Sequence, residues 1–212
     1  MPKKNLFLDY GGLITNYDFN KETLQRAHKL ALVYINSLGS PEISPQSLET
    51  AHNKATETYI YTREKDNSEW TMNQIMGLMV LNLGIKADLQ QLEDIYKFND
   101  HNSILFPNSK RILMDLSKNY KLGIISNLPH DSLISELKKE SMLNMFDPIV
   151  ISCQVGYRKP HPAIYQEAMR RANARSEKCI FASHDEQEII GADRVGMKGI
   201  LAKSLEEVIG AL

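Results

Sequence analysis

Four stretches of the sequence bring together residue types that can act on an anionic or electrophilic group. Asp9 closes the apolar run Leu6-Phe7-Leu8 and precedes Gly11 and Gly12. Ser126-Asn127 follows the apolar segment Leu122–Ile125, and Lys159 sits in the loop Gly156-Tyr157-Arg158-Lys159-Pro160. Ser183-His184-Asp185 follows Cys179–Ala182, with Glu186 and Glu188 close behind. An ionised carboxylate is a nucleophile, a hydroxyl beside a backbone amide binds nonbridging oxygens, and an ammonium group neutralises developing charge. Singly these signals are weak, because an aspartate at a strand end is commonly a cap or turn residue and Lys-Pro is frequent in loops. Their weight depends on convergence.

Convergence requires particular elements. Leu6–Leu8 reads as a short buried strand, and Gly11-Gly12 as a loop that needs permissive dihedrals. From Asn20 to about Phe98 the periodicity is helical. Leu24, His28, Leu32 and Ile35 form one face, Leu48, His52, Ala55 and Tyr59 a second, and Ile75, Leu78, Met79 and Leu83 a third. Breaks at Leu38-Gly39-Ser40-Pro41, Lys65–Ser68 and Leu83-Gly84, with Ser44 and Ser68 as helix starts, predict about four helices and no strand. After Phe106-Pro107 strands and helices alternate. Helices are expected at Ser109–Lys118, Asp131–Lys139, Pro162–Ala172, Glu186–Val195 and the C-terminus, and strands at Leu122–Ile125, Ile149–Ser152, Cys179–Ala182 and Gly199–Ala202. Apolar strands alternating with helices imply a parallel sheet covered on both faces. In such sheets functional groups gather past the carboxyl ends of the strands, where all four polar stretches fall.

The 212 residues suffice for one core with a modest insert. A formal net charge of −1 predicts no bulk attraction to nucleic acid or anionic membranes. Cys153 and Cys179, the only cysteines, lie in apolar strand-like segments and read as reduced thiols, which places the chain in a reducing, cytoplasmic setting. No apolar run approaches the roughly 18 residues of a spanning helix, and the N-terminal MPKKNLFLDYGG does not read as a signal peptide.

LFLDYGGLIT, LGIISN, YRKPHPAIY and IFASHDEQEIIGADRVGM resemble, in order, the four motifs of the haloacid dehalogenase-like (HAD) hydrolases. The resemblance covers the whole core, and the helical insert stands where type I caps do. It implies an α/β fold: a Rossmann-like parallel sheet core with helices on both faces (residues 1–16 and 100–212) and a small all-helical cap (17–99). It further implies catalysis by Asp9, Ser126 and Lys159, and substrate contacts from Gly11, Gly12, Asn127 and His184. Magnesium would be held by Asp9, the Gly11 carbonyl, Asp185 and Glu188. The implied activity is hydrolysis of a small phosphorylated metabolite through an aspartyl-phosphate on Asp9, with the cap closing over the site.

The sequence departs from the family pattern in two motifs. Where most phosphatases of the family carry a second aspartate, two residues after the nucleophile, this chain has Gly11, which transfers no proton. The family's threonine four residues after the nucleophile is Leu13, with Thr15 nearby. Where the fourth motif usually has its first acid stands Ser183. Ser183, Asp185 and Glu188 are similar to the serine, asparagine and aspartate of the metal-independent haloacid dehalogenases. A metal-independent hydrolase and a catalytically weakened binding protein therefore stay open beside the phosphatase. His184 is either a structural loop residue or a replacement proton carrier. His161 reads as surface, and His28 and His52 as packing residues. Trp70, Tyr59, Tyr61, Met72, Met76 and Met79 read as core of the insert, and Arg26, Arg63 and Lys65 as solvated or as contacts for an anionic substrate tail.

Overall fold

In the computed structural model, residues 3–39 and 42–212 are described; Ser40 and Pro41, part of the expected break after the first insert helix, lie outside them. The chain divides into two compact units, residues 1–17 with 103–212, and residues 18–102. In chain order the elements of the first unit and its margins are β1 (Lys4–Leu8), β2 (Thr15–Asp18), β3 (Asn102–Leu105), α5 (Ser109–Ser117), β4 (Tyr120–Ser126) and α6 (Ser132–Lys139). There follow β5 (Phe146–Ile151), α7 (Ser152–Val155), α8 (Pro162–Arg171), β6 (Cys179–Ser183), α9 (Glu186–Arg194), β7 (Lys198–Leu201) and α10 (Leu205–Ala211). Between β2 and β3 the second unit contains α1 (Lys21–Ser37), α2 (Pro45–Asp66), α3 (Met72–Leu83) and α4 (Leu89–Asn99).

The main sheet has the order β5-β4-β1-β6-β7, and every neighbouring pair is parallel. β1 is thus central, with Leu8 opposite Ile124 on one side and Ala182 on the other. Its Leu6, Phe7 and Leu8 are wholly buried, as expected of a strand covered on both faces. Leu6 and Leu8 pack with Ile112, Leu113, Leu133 and Val208 on one face, while Phe7 packs with Ile164, Tyr165, Phe181 and Ile189 on the other. The order reverses at the β1–β6 junction, the switch point at which open sheets place their ligands.

Two strands went unread. β2 and β3 pair as a separate two-stranded sheet. Their sequences, TNYD and NSIL, are short and only partly buried, so neither shows the apolar run or clean alternation by which strands are recognised.

The helical unit has its own core. α1 buries Thr23, Ala27, Ala31 and Ile35 rather than the expected stripe through Leu24, His28 and Leu32, which are half-buried. Alanine lets helices approach closely, so the small residues sit at the centre of the contact and the larger ones flank it. Asn20 and Thr71 start α1 and α3 with reciprocal capping boxes, and Ser44 caps α2. Ser68, expected to start a helix, precedes α3 by several residues. Met72, Met76, Met79 and Tyr59 are buried as expected, whereas Tyr61 is solvent-exposed. Arg26 donates to the carbonyls of Asn99 and His101 just after α4, so this cation is engaged by the end of a helix.

His28 and His52 meet inside this unit. Their rings are 4.9 Å apart edge to face, and His52 stacks on Tyr96 at 4.8 Å. Burial, with His28 adding to it and Asp100 opposing, pushes His52 down to about 4. A histidine held neutral in the fold is protonated more readily in the unfolded chain. It stabilises the fold above about pH 6.5, and that contribution disappears as pH falls toward 4. Urea unfolding is expected to show a loss of about 2 kcal/mol between pH ~7 and ~5 from this residue, which His52→Phe removes.

Candidate active site

Asp9 continues β1 by one residue, its amide donating to the Ala182 carbonyl at 2.9 Å. Its side chain is nearly buried. Oδ1 lies 2.7 Å from Lys159 Nζ, and the same ammonium lies 2.8 Å from Glu188 Oε2. Residues 150 positions apart therefore share one bond. Lys159 is held on all sides. Its backbone amide donates to Asn127 Oδ1 at 2.8 Å, its carbonyl accepts from Asn127 Nδ2 at 3.2 Å, and its Nζ lies 5.2 Å from the Phe181 ring centre.

Glu188 is fixed just as firmly. Its Oε2 accepts from the Ser183 hydroxyl at 2.6 Å, and its Oε1 accepts from Asn127 Nδ2 at 3.2 Å. Tyr165, the tyrosine of YRKPHPAIY, donates from its hydroxyl to the Glu188 carbonyl at 2.7 Å. Gly191 completes the packing, since a Cβ there would stand 2.7 Å from the Pro160 carbonyl and 2.9 Å from Tyr165 Oη. A side chain at 191 would push on the residue that follows Lys159.

Charge balance follows from this geometry. Burial alone would raise Asp9, but Lys159 and His184 outweigh it and hold its carboxyl below the usual carboxylate range. Burial alone would lower Lys159, yet Asp9 and Glu188 hold it above the usual lysine range. Burial pushes Glu188 up, with Lys159 opposing and Asp9 adding to the rise. The result is one ammonium between two carboxylates, with Asp9 the more acidic of them.

The remaining expected residues divide. Ser126, buried, closes β4 at the sheet end where Asp9 closes β1. His184 Nδ1 lies 3.3 Å from Asp9 Oδ2, and this contact, against some burial, raises the imidazole's proton affinity. Its ring lies over Gly12, which has φ +87°. A Cβ at Gly12 would overlap the imidazole at 2.3 Å from Nδ1, so glycine serves both the turn and the seating of His184. Thr15 is engaged locally, its hydroxyl 3.4 Å from the Tyr10 carbonyl.

Two expected metal ligands have other tasks. Asp185 Oδ1 accepts from the amides of Gln187 and Glu188 at 2.7 and 3.3 Å and so caps α9, on an exposed loop. Glu188 spends its oxygens on Lys159, Ser183 and Asn127. Sequence spacing found both acids but could not show which oxygens were already in use. Asn127 likewise proves to be the brace of Lys159 and Glu188 through its side chain. Tyr165 was missed as part of the site, although it lies in a quoted motif. A further cluster went unseen: Glu136 accepts from Tyr17 at 2.8 Å and from Tyr10, the neighbour of Asp9, at 3.1 Å.

A magnesium ion needs oxygen ligands, usually one or two carboxylates, with water and substrate phosphate completing the shell. Asp9 Oδ2 is the oxygen of that side chain that Lys159 does not hold, and it lies 3.3 Å from His184 Nδ1.

The sequence matches the haloacid dehalogenase-like hydrolase family over residues 29–202. The chain belongs to that family. A curated relative, glyceraldehyde 3-phosphate phosphatase of Methanothermobacter thermautotrophicus, is 37% identical over 101 residues, 47% of this chain and 45% of the relative. The chain spans about half the length of the curated relatives it matches. Among solved structures, a 2-haloacid dehalogenase from Pseudomonas syringae aligns with a TM-score of 0.63 at 20% identity, covering 93% of this chain and 85% of the other. A HAD family enzyme from Bacteroides thetaiotaomicron, in complex with magnesium and inorganic phosphate, aligns with a TM-score of 0.60 at 15% identity, covering 94% and 93%. At these identities the structures share the fold. Among the described residues, no helix is long and apolar enough to cross a membrane.

Two substitutions probe the charge triad and its packing. Lys159→Met, which leaves two buried carboxylates without their cation, is expected to cost about 3–5 kcal/mol in urea unfolding, and Asp9→Asn in that background to restore part of it. Gly191→Ala is expected to lower stability by about 1–3 kcal/mol through overpacking, measured the same way.

Proposed function

We propose that this chain is a magnesium-dependent phosphatase of small phosphorylated metabolites that works through an aspartyl-phosphate on Asp9. The observation that carries the reading is the 2.7 Å contact from Lys159 Nζ to Asp9 Oδ1 at the end of the central strand. It keeps the nucleophile ionised and leaves its second oxygen for attack. The phosphatase activity named for the curated relative points the same way.

In this mechanism Asp9 Oδ2 attacks phosphorus, and the bond from phosphorus to the leaving oxygen breaks. Ser126 and the Asn127 amide accept charge on the nonbridging oxygens, and Lys159 neutralises it. Gly11 has no proton to give. His184 Nδ1, 3.3 Å from Asp9 Oδ2, holds the proton that the leaving oxygen takes up. Water, passing a proton to His184, then attacks the phosphorus of the aspartyl-phosphate, and the bond from phosphorus to Asp9 breaks to release phosphate and restore the Asp9 carboxylate. Asp9 and the Gly11 carbonyl would be the protein groups to hold magnesium, which would supply further positive charge to the phosphate oxygens. The helical unit takes the part of the type I cap, and with it substrate choice.

A metal-independent hydrolysis of a carbon–halide bond is the second reading, favoured by the neutral Ser183 beside Glu188. The deciding experiment measures phosphate release from a panel of phosphomonoesters with magnesium and with chelator, alongside halide release from 2-haloacids. Asp9→Asn is expected to lower kcat for the best phosphoester by at least about 1,000-fold. Phosphate release no faster than that of Asp9→Asn across the panel would remove the phosphatase reading. Halide release that survives chelation would put the second in its place.

A further inference from the structure

The ladder between β1 and β6 closes with the Asp9 amide on the Ala182 carbonyl, so the loop that follows needs another anchor. It first closes on itself. The amides of Ile14 and Thr15 both donate to the Tyr10 carbonyl at 3.0 Å, and the Gly12 amide donates to the Thr15 carbonyl at 2.8 Å. On one side the loop is tied to the start of α5, where the Phe106 amide and the Ser109 hydroxyl donate to the Ile14 carbonyl at 3.1 and 3.2 Å.

On the other side a single carboxylate of α6 takes both flanks of the loop. Glu136 accepts from the Tyr17 hydroxyl at 2.8 and 3.0 Å, one distance to each oxygen, and from the Tyr10 hydroxyl at 3.1 Å. The two tyrosine rings meet edge to face with centres 5.8 Å apart, and the Ser132 hydroxyl lies 3.3 Å from Tyr17 Oη. Burial, with the Glu136 charge adding to it, pushes both phenols above the usual tyrosine range, so both remain donors. Bonds of this kind, from a neutral donor to an ionised acceptor, are stronger than neutral pairs.

What the carboxylate holds bears on the reacting atoms. The Tyr17 ring stands beside Gly11, where a Cβ would lie 3.6 Å from its Cδ2, and the next residue, Gly12, is the surface on which the His184 ring lies. That ring is 3.3 Å from Asp9 Oδ2. A displaced loop therefore displaces the imidazole from the attacking oxygen.

We infer that Glu136 is a positioning residue: through Tyr10 and Tyr17 it holds the Gly11-Gly12 loop, and through that loop the seat of His184 beside Asp9. Its effect on rate rests on the phosphatase reading above, whereas the tether itself rests on the fold alone. Small misplacements of a reacting group lower turnover steeply, and they need not alter how tightly substrate is held.

The test pairs hydrogen exchange with kinetics on the whole chain. In Glu136→Ala the amides of Gly12, Ile14 and Thr15 are expected to exchange on the order of tenfold faster, while those of β1 and β4 keep their protection. For the best phosphoester of the panel, kcat is expected to fall on the order of tenfold and KM to stay within about twofold. Glu136→Gln, whose amide oxygen can accept from both phenols, is expected to stay within about threefold of the unaltered chain in both readouts. Tyr17→Phe keeps the ring and removes only the hydroxyl, so it reports the same tether if circular dichroism shows Glu136→Ala unfolded; combined with Glu136→Ala it is expected to add little. Unchanged exchange at the three amides in both variants would overturn the tether and leave the phosphatase reading in place. Faster exchange with kcat unaltered would overturn the positioning role, again without touching that reading. Turnover of the unaltered chain no faster than that of Asp9→Asn would remove the phosphatase reading and the positioning role with it.

Discussion

A lysine ammonium with no solvent exposure, gripped by carboxylates from opposite ends of the chain, sets the terms for the rest of the core. Removing such a charge from water costs several kcal/mol, and two close carboxylates repay it only if both are held in place. Much of the surrounding sequence does that holding. Asn127 clamps the main chain of Lys159, Ser183 and Asn127 anchor Glu188, Tyr165 pins the first turn of α9, and Gly191 lets that helix come close enough. The ionised state of Asp9 is thus a by-product of electrostatic closure. Asp9 is anionic because its partner cation has nowhere else to go.

Much of this was legible in the sequence, and the limits are instructive. The central strands β1, β4 and β6 announced themselves through apolar runs, because strands buried on both faces leave polar residues only at their ends. Those ends, Asp9, Ser126 and Ser183, were therefore visible before any fold was known. β2 and β3 were hidden because a half-exposed ribbon of four-residue strands has neither length nor pattern. The stripe on α1 was misplaced by one position because large apolar residues were weighted above Ala27 and Ala31, although close helix contact favours the small ones.

Function was legible in kind but not in allocation. Spacing named Glu188 and Asp185 as acids near the site, yet a linear sequence does not record which lone pairs are already spent. Glu188 satisfies a lysine and a serine, while Asp185 satisfies a helix end. His184 was ambiguous for the complementary reason. Its relation to Asp9 depends on space above Gly12, a tertiary fact that only the folded loop supplies.

The position of β1 has a consequence for how the molecule comes into being. Its neighbours in the sheet are β4 and β6, whose residues follow it by more than a hundred positions, with the helical unit made in between. A nascent chain must keep Leu6, Phe7 and Leu8 without their ladder to β4 until residue 126, and without their ladder to β6 until residue 183, has been synthesised, whereas the helices of the insert are made in between. The order of assembly is therefore inverted relative to the order of the sequence. β1 is made ahead of both of its sheet neighbours and enclosed only after them, and Asp9 meets Lys159 and His184 only once those later residues have been made.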